Sequence, residues 1–256
     1  MNKMDNVTGA RRTGRLTKEK FGFSMPVDAP AYKKPPAALL DLESITITYE
    51  TDMDAALDML PADENLELAH PTTAKMIFTR MPYTPWGAYN EVYQVIDCLW
   101  QGQPCIFPVR LLVDNEIALT IGRELWGNPK KFGFIEFSHE SNIIQCIGER
   151  PRGNRICTGL IQLDTPIEVE PTTMDVLGLR VIPNPENIDE FSIAELLMNT
   201  LTIRPKQAWT GSGSLMFNVM SELDPWYKLP VRKLVSTVYS ISDMETSPSA
   251  RIIRKF

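Results

Sequence analysis

Prolines recur along the whole chain, and they restrict its folding more than any other feature. There are 20 of them in 256 residues, roughly one in thirteen against a usual one in twenty. Each fixes φ and removes a backbone donor, so helices must be short and strands must break often. Between the prolines the sequence alternates as half-buried strands do. SITITYE (44–50), KMIFTRM (75–81), YNEVYQVIDCLW (89–100) and CIFPVRLLV (105–113) each read as a strand. So do FGFIEF (132–137), NIIQCIG (142–148), RICTGLIQL (155–163) and GLRVIP (178–183). LMNTLTIRP (197–205) and SLMFNVM (214–220) flank AWTGSGS, whose glycines predict a turn, and KLVSTVYSIS (233–242) precedes a polar tail.

Two short helices interrupt this series. In TDMDAALDMLP (51–61), Thr51 and Asp54 stand at capping-box spacing and Pro61 ends the helix. In the second, Asn115 can cap, Ile117, Ile121 and Leu125 fall at helical spacing, and Gly127 with Pro129 closes it. Residues 1–20 predict a mobile arm, and 21–42 an extended stretch with prolines at 26, 30, 35 and 36. The expected fold class is α+β, mainly β. Residues 21–256 would form a single domain with a large antiparallel sheet or partial β-barrel and a few short packed helices.

Composition removes several functions. The formal net charge is −6 with no basic stripe, so no nucleic acid partner is expected. No run of about 18 apolar residues exists to span a membrane, and the first residues lack the apolar core of a signal peptide. A cytoplasmic protein is the simplest expectation. Four cysteines (Cys98, Cys105, Cys146, Cys157) form no CxxC pair, and there are only two histidines, so no metal site is expected and reduced thiols are. Lysine, carboxylates and tyrosine remain for chemistry at neutral pH.

Asp114–Gly133, DNEIALTIGRELWGNPKKFG, is where these groups meet. Two adjacent lysines follow a helix stop, with Trp126, Phe132 and Phe134 around them. A lysine must be neutral to attack a carbonyl, and at its ordinary pKa only about one in 2,500 is neutral at pH 7. Burial and a second ammonium nearby both favour the neutral form. A bare lysine pair, however, is most often a solvated surface charge.

The segment resembles the signature of the acetoacetate decarboxylase family, in which a Gly-Arg-Glu helix leads into a Pro-Lys-Lys turn. Here these are Gly122-Arg123-Glu124 and Pro129-Lys130-Lys131. YETDMDAALDMLP (49–61), GAYNE (87–91), VIPNP (181–185), QAWTGSGSL (207–215) and LPVRKLVSTVYSI (229–241) are similar to further family landmarks in the same order. The resemblance implies that Lys130 forms a Schiff base, that Lys131 is the neighbour that depresses its pKa, and that Glu91 is the active-site carboxylate. It implies no cofactor, a small keto acid or other carbonyl compound as substrate, and a homo-oligomer. Two positions depart from the pattern. Leu42 stands where the decarboxylases carry a carboxylate-binding arginine, and Met76 where they carry a second glutamate, unless Glu43, Lys75 or Arg80 compensates. Leu42, Met76, Tyr89, Arg123 and Trp126 are thus the candidate substrate contacts. Three functions stay open: a β-keto acid decarboxylase, a pyruvate aldolase-dehydratase, and a non-catalytic binding protein. A nucleotide site at Gly211–Ser214 lacks the strand–loop–helix context that cradles phosphate.

Overall fold

The computed structural model describes residues 13–256. Most of the expected arm lies outside the described residues, and Lys18–Lys20 form one 3-10 turn. β1 (Ala38–Glu50) leads through helix α1 (Met53–Leu57) and a short β2 (Leu66–Leu68) to β3 (Thr73–Met81), β4 (Tyr89–Trp100) and β5 (Gln103–Val113). Helix α2 (Glu116–Leu125) and β6 (Lys130–Phe132) precede a meander of β7 (Phe134–Glu140), β8 (Ile143–Glu149) and β9 (Arg155–Pro166). β10 (Thr172–Pro183), the 27-residue β11 (Phe191–Phe217), β12 (Lys233–Thr246) and β13 (Arg251–Lys255) follow.

Backbone hydrogen bonds join β10, β5, β4, β3, β1, β12 and β11 in that order, and β11 returns to β10. These strands therefore close a ring, which leaves few edges unpaired. The pairings around it are antiparallel except β10 with β5, which run parallel at Asp175–Cys105 and Val176–Ile106. From the far half of β11, strands β9, β8 and β7 continue as a flap. Period-two alternation sorts each ring strand between two interiors. On β1, Ser44 and Thr46 face the bore, while Ile45, Ile47 and Tyr49 join a core with Ile144, Cys146 and Ile161 of the flap. On β3, Ile77 and Thr79 face the bore, and Met76 and Phe78 are fully buried in that outer core. Each such apolar side chain contributes about 1.5–3 kcal/mol by leaving water.

The α+β, mainly β class is the observed one, but three local expectations are corrected. The turn at AWTGSGS is instead the continuous middle of β11. Its glycines serve close approach: a Cβ on Gly211 would lie 1.9 Å from the Gln162 carbonyl oxygen, and one on Gly213 2.0 Å from Thr237 Oγ1. The polar tail contains β13, which pairs with Glu195–Met198 of β11. The Thr51–Asp54 capping box does not form. Asp52 is the N-cap of α1, and its carboxylate is held by Arg232 at 2.6–2.7 Å. All four cysteines are free and buried. No helix among the described residues is long and apolar enough to cross a membrane.

Candidate active site

Helix α2 and the turn after it deliver Lys130 to the barrel wall. Asn115 Oδ1 accepts the Ala118 N–H at 2.9 Å and starts the helix. Gly127, at φ 65°, stops it in the left-handed conformation that glycine adopts without strain. The Asn128 N–H then donates to the Gly122 carbonyl at 2.9 Å, and Lys130–Phe132 lie parallel to Leu111–Val113 of β5. Strand alternation turns Lys130 inward and Lys131 outward.

Inside, the Lys130 ammonium is ion-paired and hydrogen-bonded with Glu91 Oε1, and the Tyr93 hydroxyl donates to Glu91 Oε2. Lys130 is 5% exposed and Glu91 2%. A pair this deeply buried persists only where its geometry is good and its remaining hydrogen-bonding capacity is met. Burial, and after it the Glu91 charge, push the Tyr89 and Tyr93 phenols well above their ordinary range, so both stay protonated donors. The Lys130 stem crosses the face of α2 at Gly122, where an added Cβ would lie 2.5 Å from Lys130 Cδ and Cε. Only a glycine leaves that path open.

The bore around this pair is a cavity of about 320 Å³, lined by residues from all the ring strands together with Trp86, Trp126, Asn128 and Lys130. Of the candidates read from the sequence, Lys130, Glu91, Leu42, Tyr89 and Trp126 meet in it. Three do not. Met76 faces the outer core, because β3 presents Lys75 and Ile77 to the bore instead. Arg123 braces the lysine turn, its Nη1 donating to the Lys130 carbonyl at 3.1 Å. Lys131 leaves the wall on the outer side, where its amine contacts the Leu223 carbonyl and lies 3.0 Å from Asp224 Oδ1. Its charge is thus neutralised across the strand from Lys130, so the expected pairing of two ammoniums is not the arrangement found.

Nor do the neighbouring charges replace the missing arginine. Glu43 and Arg80 pair with each other at 3.6 Å, and Glu43 also meets His139 and Tyr239. Lys75 does line the bore, but its amine is engaged by Asp97, whose other oxygen takes the Thr73 hydroxyl. Tyr93 had a sequence signal, since it shares the inward face of β4 with Glu91. Asn199, a polar residue on the inward face of β11, could have been noticed as the exception in the apolar run around it. The role of Gly122 had no local signal, because its partner is the side chain eight residues later.

Comparison with known proteins agrees with this architecture. A family model described as acetoacetate decarboxylase matches residues 24–251. The chain is 28% identical to a decarboxylase of Cochliobolus heterostrophus, covering 89% of this chain and 92% of that protein. It is 30% identical to an acetoacetate decarboxylase of Ralstonia nicotianae, covering 89% and 93%. Among solved structures, the acetoacetate decarboxylase of Legionella pneumophila superposes with a TM-score of 0.82 at 27% identity, over 96% of this chain and 99% of that one. The fold, the family match and the curated relatives agree: the chain belongs to the acetoacetate decarboxylase family and is a carbon–carbon lyase of that kind.

Proposed function

We propose that this chain decarboxylates a β-keto acid, acetoacetate or a larger and more apolar homologue, through a Schiff base on Lys130. The observation that carries the reading is the Lys130–Glu91 pair, closed inside a bore whose other walls are mostly apolar. Proton transfer from Lys130 to Glu91 within the pair frees the amine without moving charge out of the cavity. The amine adds to the substrate ketone and water leaves, giving an iminium whose positive nitrogen attracts electrons. The bond to the β-carboxylate then breaks, its electron pair enters the iminium, and carbon dioxide departs. Glu91, which holds a hydrogen bond from Tyr93, then returns the proton to the enamine carbon. Water finally hydrolyses the iminium and releases the ketone.

Incubation with acetoacetate or 3-oxohexanoate, followed by sodium borohydride and peptide mass analysis, tests this. The expected result is a reduced adduct on Lys130 together with carbon dioxide release in the unreduced reaction. An adduct on another lysine, or none with either keto acid in folded protein, would sink the mechanism.

A second reading keeps the lysine and changes the reaction. A pyruvate aldolase-dehydratase would use the same iminium to make or break a carbon–carbon bond and lose water, and Leu42 in place of an arginine favours it. Adduct formation with pyruvate plus an aldehyde, without carbon dioxide, distinguishes it. Assembly into a homo-oligomer belongs to the same proposal. Its support is the exposed apolar set Ile188, Phe191, Met220 and Leu223, and light scattering tests it.

A further inference from the structure

Outside the bore, behind the lysine turn, one half-buried cation has no carboxylate. β5 carries a bulge: Gln94 pairs with Arg110 and Val95 with Pro108, so Val109 and Arg110 both fall on the outer side, between the bore residues Pro108 and Leu111. Arg110 Nη1 donates to Gln94 Oε1 at 2.6 Å. Gln94 is fixed in turn, its Nε2 donating to the Tyr49 hydroxyl and to the Trp226 carbonyl at 3.0 Å each. Among the described residues Arg110 makes no other side-chain hydrogen bond and no ion pair, which leaves most of its N–H donors open. Burial, set against the pull of Tyr49 and Asp224, lowers its pKa to about 10.

Arg110 lines a cavity of about 180 Å³ together with Lys131, Asp224, Pro129 and Trp226. Register puts its two cations close together. Lys131 is the ladder partner of Leu112, and Arg110 lies two residues before Leu112 on the same outer face. Two residues along one strand and one strand across separate their Cα atoms by about 8 Å, so two long side chains can converge on one small ion. Asp224 does not meet this demand. Its Oδ1 lies 3.0 Å from Lys131 and its Oδ2 takes Arg150 Nη1 at 2.7 Å, so both oxygens are engaged. Positive charge therefore exceeds negative at this cavity.

We infer that Arg110 and Lys131 form a binding site for a small oxyanion of the phosphate or sulfate type, separate from the bore. A guanidinium presents paired N–H groups that match two oxygens of such an ion, and an ammonium adds a point charge. The neutral Gln94 holds the guanidinium in place without cancelling its charge. Pro129, the residue before Lys130, closes one side of the cavity. The bound ion thus rests against the back of the turn that carries Lys130, and by binding only the folded chain it stabilises that chain. The site is independent of the chemistry in the bore and stands whether or not Lys130 forms a Schiff base.

Calorimetry and thermal melting of the full chain with inorganic phosphate, at an ionic strength held constant with chloride, test the site. Wild type is compared with Arg110→Met, Lys131→Met, Lys130→Ala and Arg204→Met, the last a surface arginine that faces Glu245. Saturable phosphate binding and a raised thermal midpoint are expected in wild type. Arg110→Met is expected to weaken the affinity roughly ten- to hundred-fold, and Lys131→Met roughly ten-fold. Folded Lys130→Ala and Arg204→Met are expected to keep wild-type affinity. If Arg110→Met fails to fold, Arg110→Gln replaces it. Undiminished affinity in the Arg110 variant would overturn the site. Equal weakening in Arg204→Met, which marks general charge attraction, or a loss in Lys130→Ala, which moves the ion into the bore, would do the same. Absence of phosphate binding in wild type would also overturn it, and a changed assembly of Arg110→Met by light scattering would then give the guanidinium to a second copy of the chain.

Discussion

Lys130 and Lys131 are adjacent in sequence and live in different solvents. Lys130 sits in the bore against Glu91, 5% exposed, while the side chain of Lys131 is 44% exposed and meets Asp224 outside the wall. One step along a strand reverses the face, so the same residue type is placed in two environments by backbone geometry alone. The difference teaches that a lysine pair in sequence need not be an electrostatic pair in space. In the proposed mechanism the activation of Lys130 therefore rests on its own surroundings: the bore, Glu91, and the groove over Gly122.

The widest separation between the two should appear on removing each amine. Lys130→Ala is expected to abolish both turnover and borohydride trapping, because it removes the amine beside Glu91, and Lys75, the other lysine lining the bore, stays held by Asp97. Carbon dioxide release and adduct mass would be measured side by side with Lys131→Ala. Equal loss in the two variants would erase the distinction drawn here.

Glu91→Gln comes next. It keeps the shape but removes the proton acceptor, and general acid–base groups typically contribute about 10²–10⁴-fold in rate. It also leaves the buried Lys130 without its counter-charge, and breaking such a pair costs about 3–5 kcal/mol. A fall in both kcat and thermal midpoint is expected. A fall in stability with kcat intact would show Glu91 to be structural only.

Gly122→Ala tests the groove. The new Cβ would overlap Lys130 Cδ and Cε at 2.5 Å, so the amine must shift while the rest of the bore stays in place. A misplacement of about 1 Å can cost on the order of 100-fold. The expected signature is a kcat loss of that order with little change in fold by circular dichroism. Wild-type kcat in a folded variant would mean that Lys130 takes another path.

How much of this was legible beforehand depends on range. Most strands announce themselves through alternation, and α2 through Asn115, its apolar spacing and Gly127, but FGFIEF, read as one strand, divides at Gly133 between β6 and β7. Glu91 could be named by resemblance and Trp126 from its place beside the lysine pair, and both line the bore with Lys130. What could not be read is which face each strand shows. The fifteen-residue spacing from Glu91 points to Met76, yet Lys75 and Ile77 are the inward residues of β3, a one-residue offset that reverses every side chain. Ring closure is equally hidden, because β10 meets β5 through only two bridged residue pairs about 70 positions apart. Gly211 and Gly213 read locally as a turn because the strands that crowd them, β9 and β12, lie elsewhere in the chain.

Outside the wall the comparison predicts its smallest effect. Asp224 is almost fully buried and receives Arg150 Nη1 at 2.7 Å as well as Lys131. Removing the Lys131 amine therefore leaves Asp224 with a counter-charge, and a half-exposed pair of this kind contributes under about 1 kcal/mol. Lys131→Met should lower the thermal midpoint slightly and leave kcat and KM at wild-type values. Arg150→Met combined with it should cost more than the two single changes added, since only the double variant strands the Asp224 carboxylate. Additive stabilities would show that Asp224 draws no shared support from the two cations. A large kcat loss in Lys131→Met alone would mean that its charge acts on Lys130 through the strand after all, and the contrast between inside and outside would have to be given up.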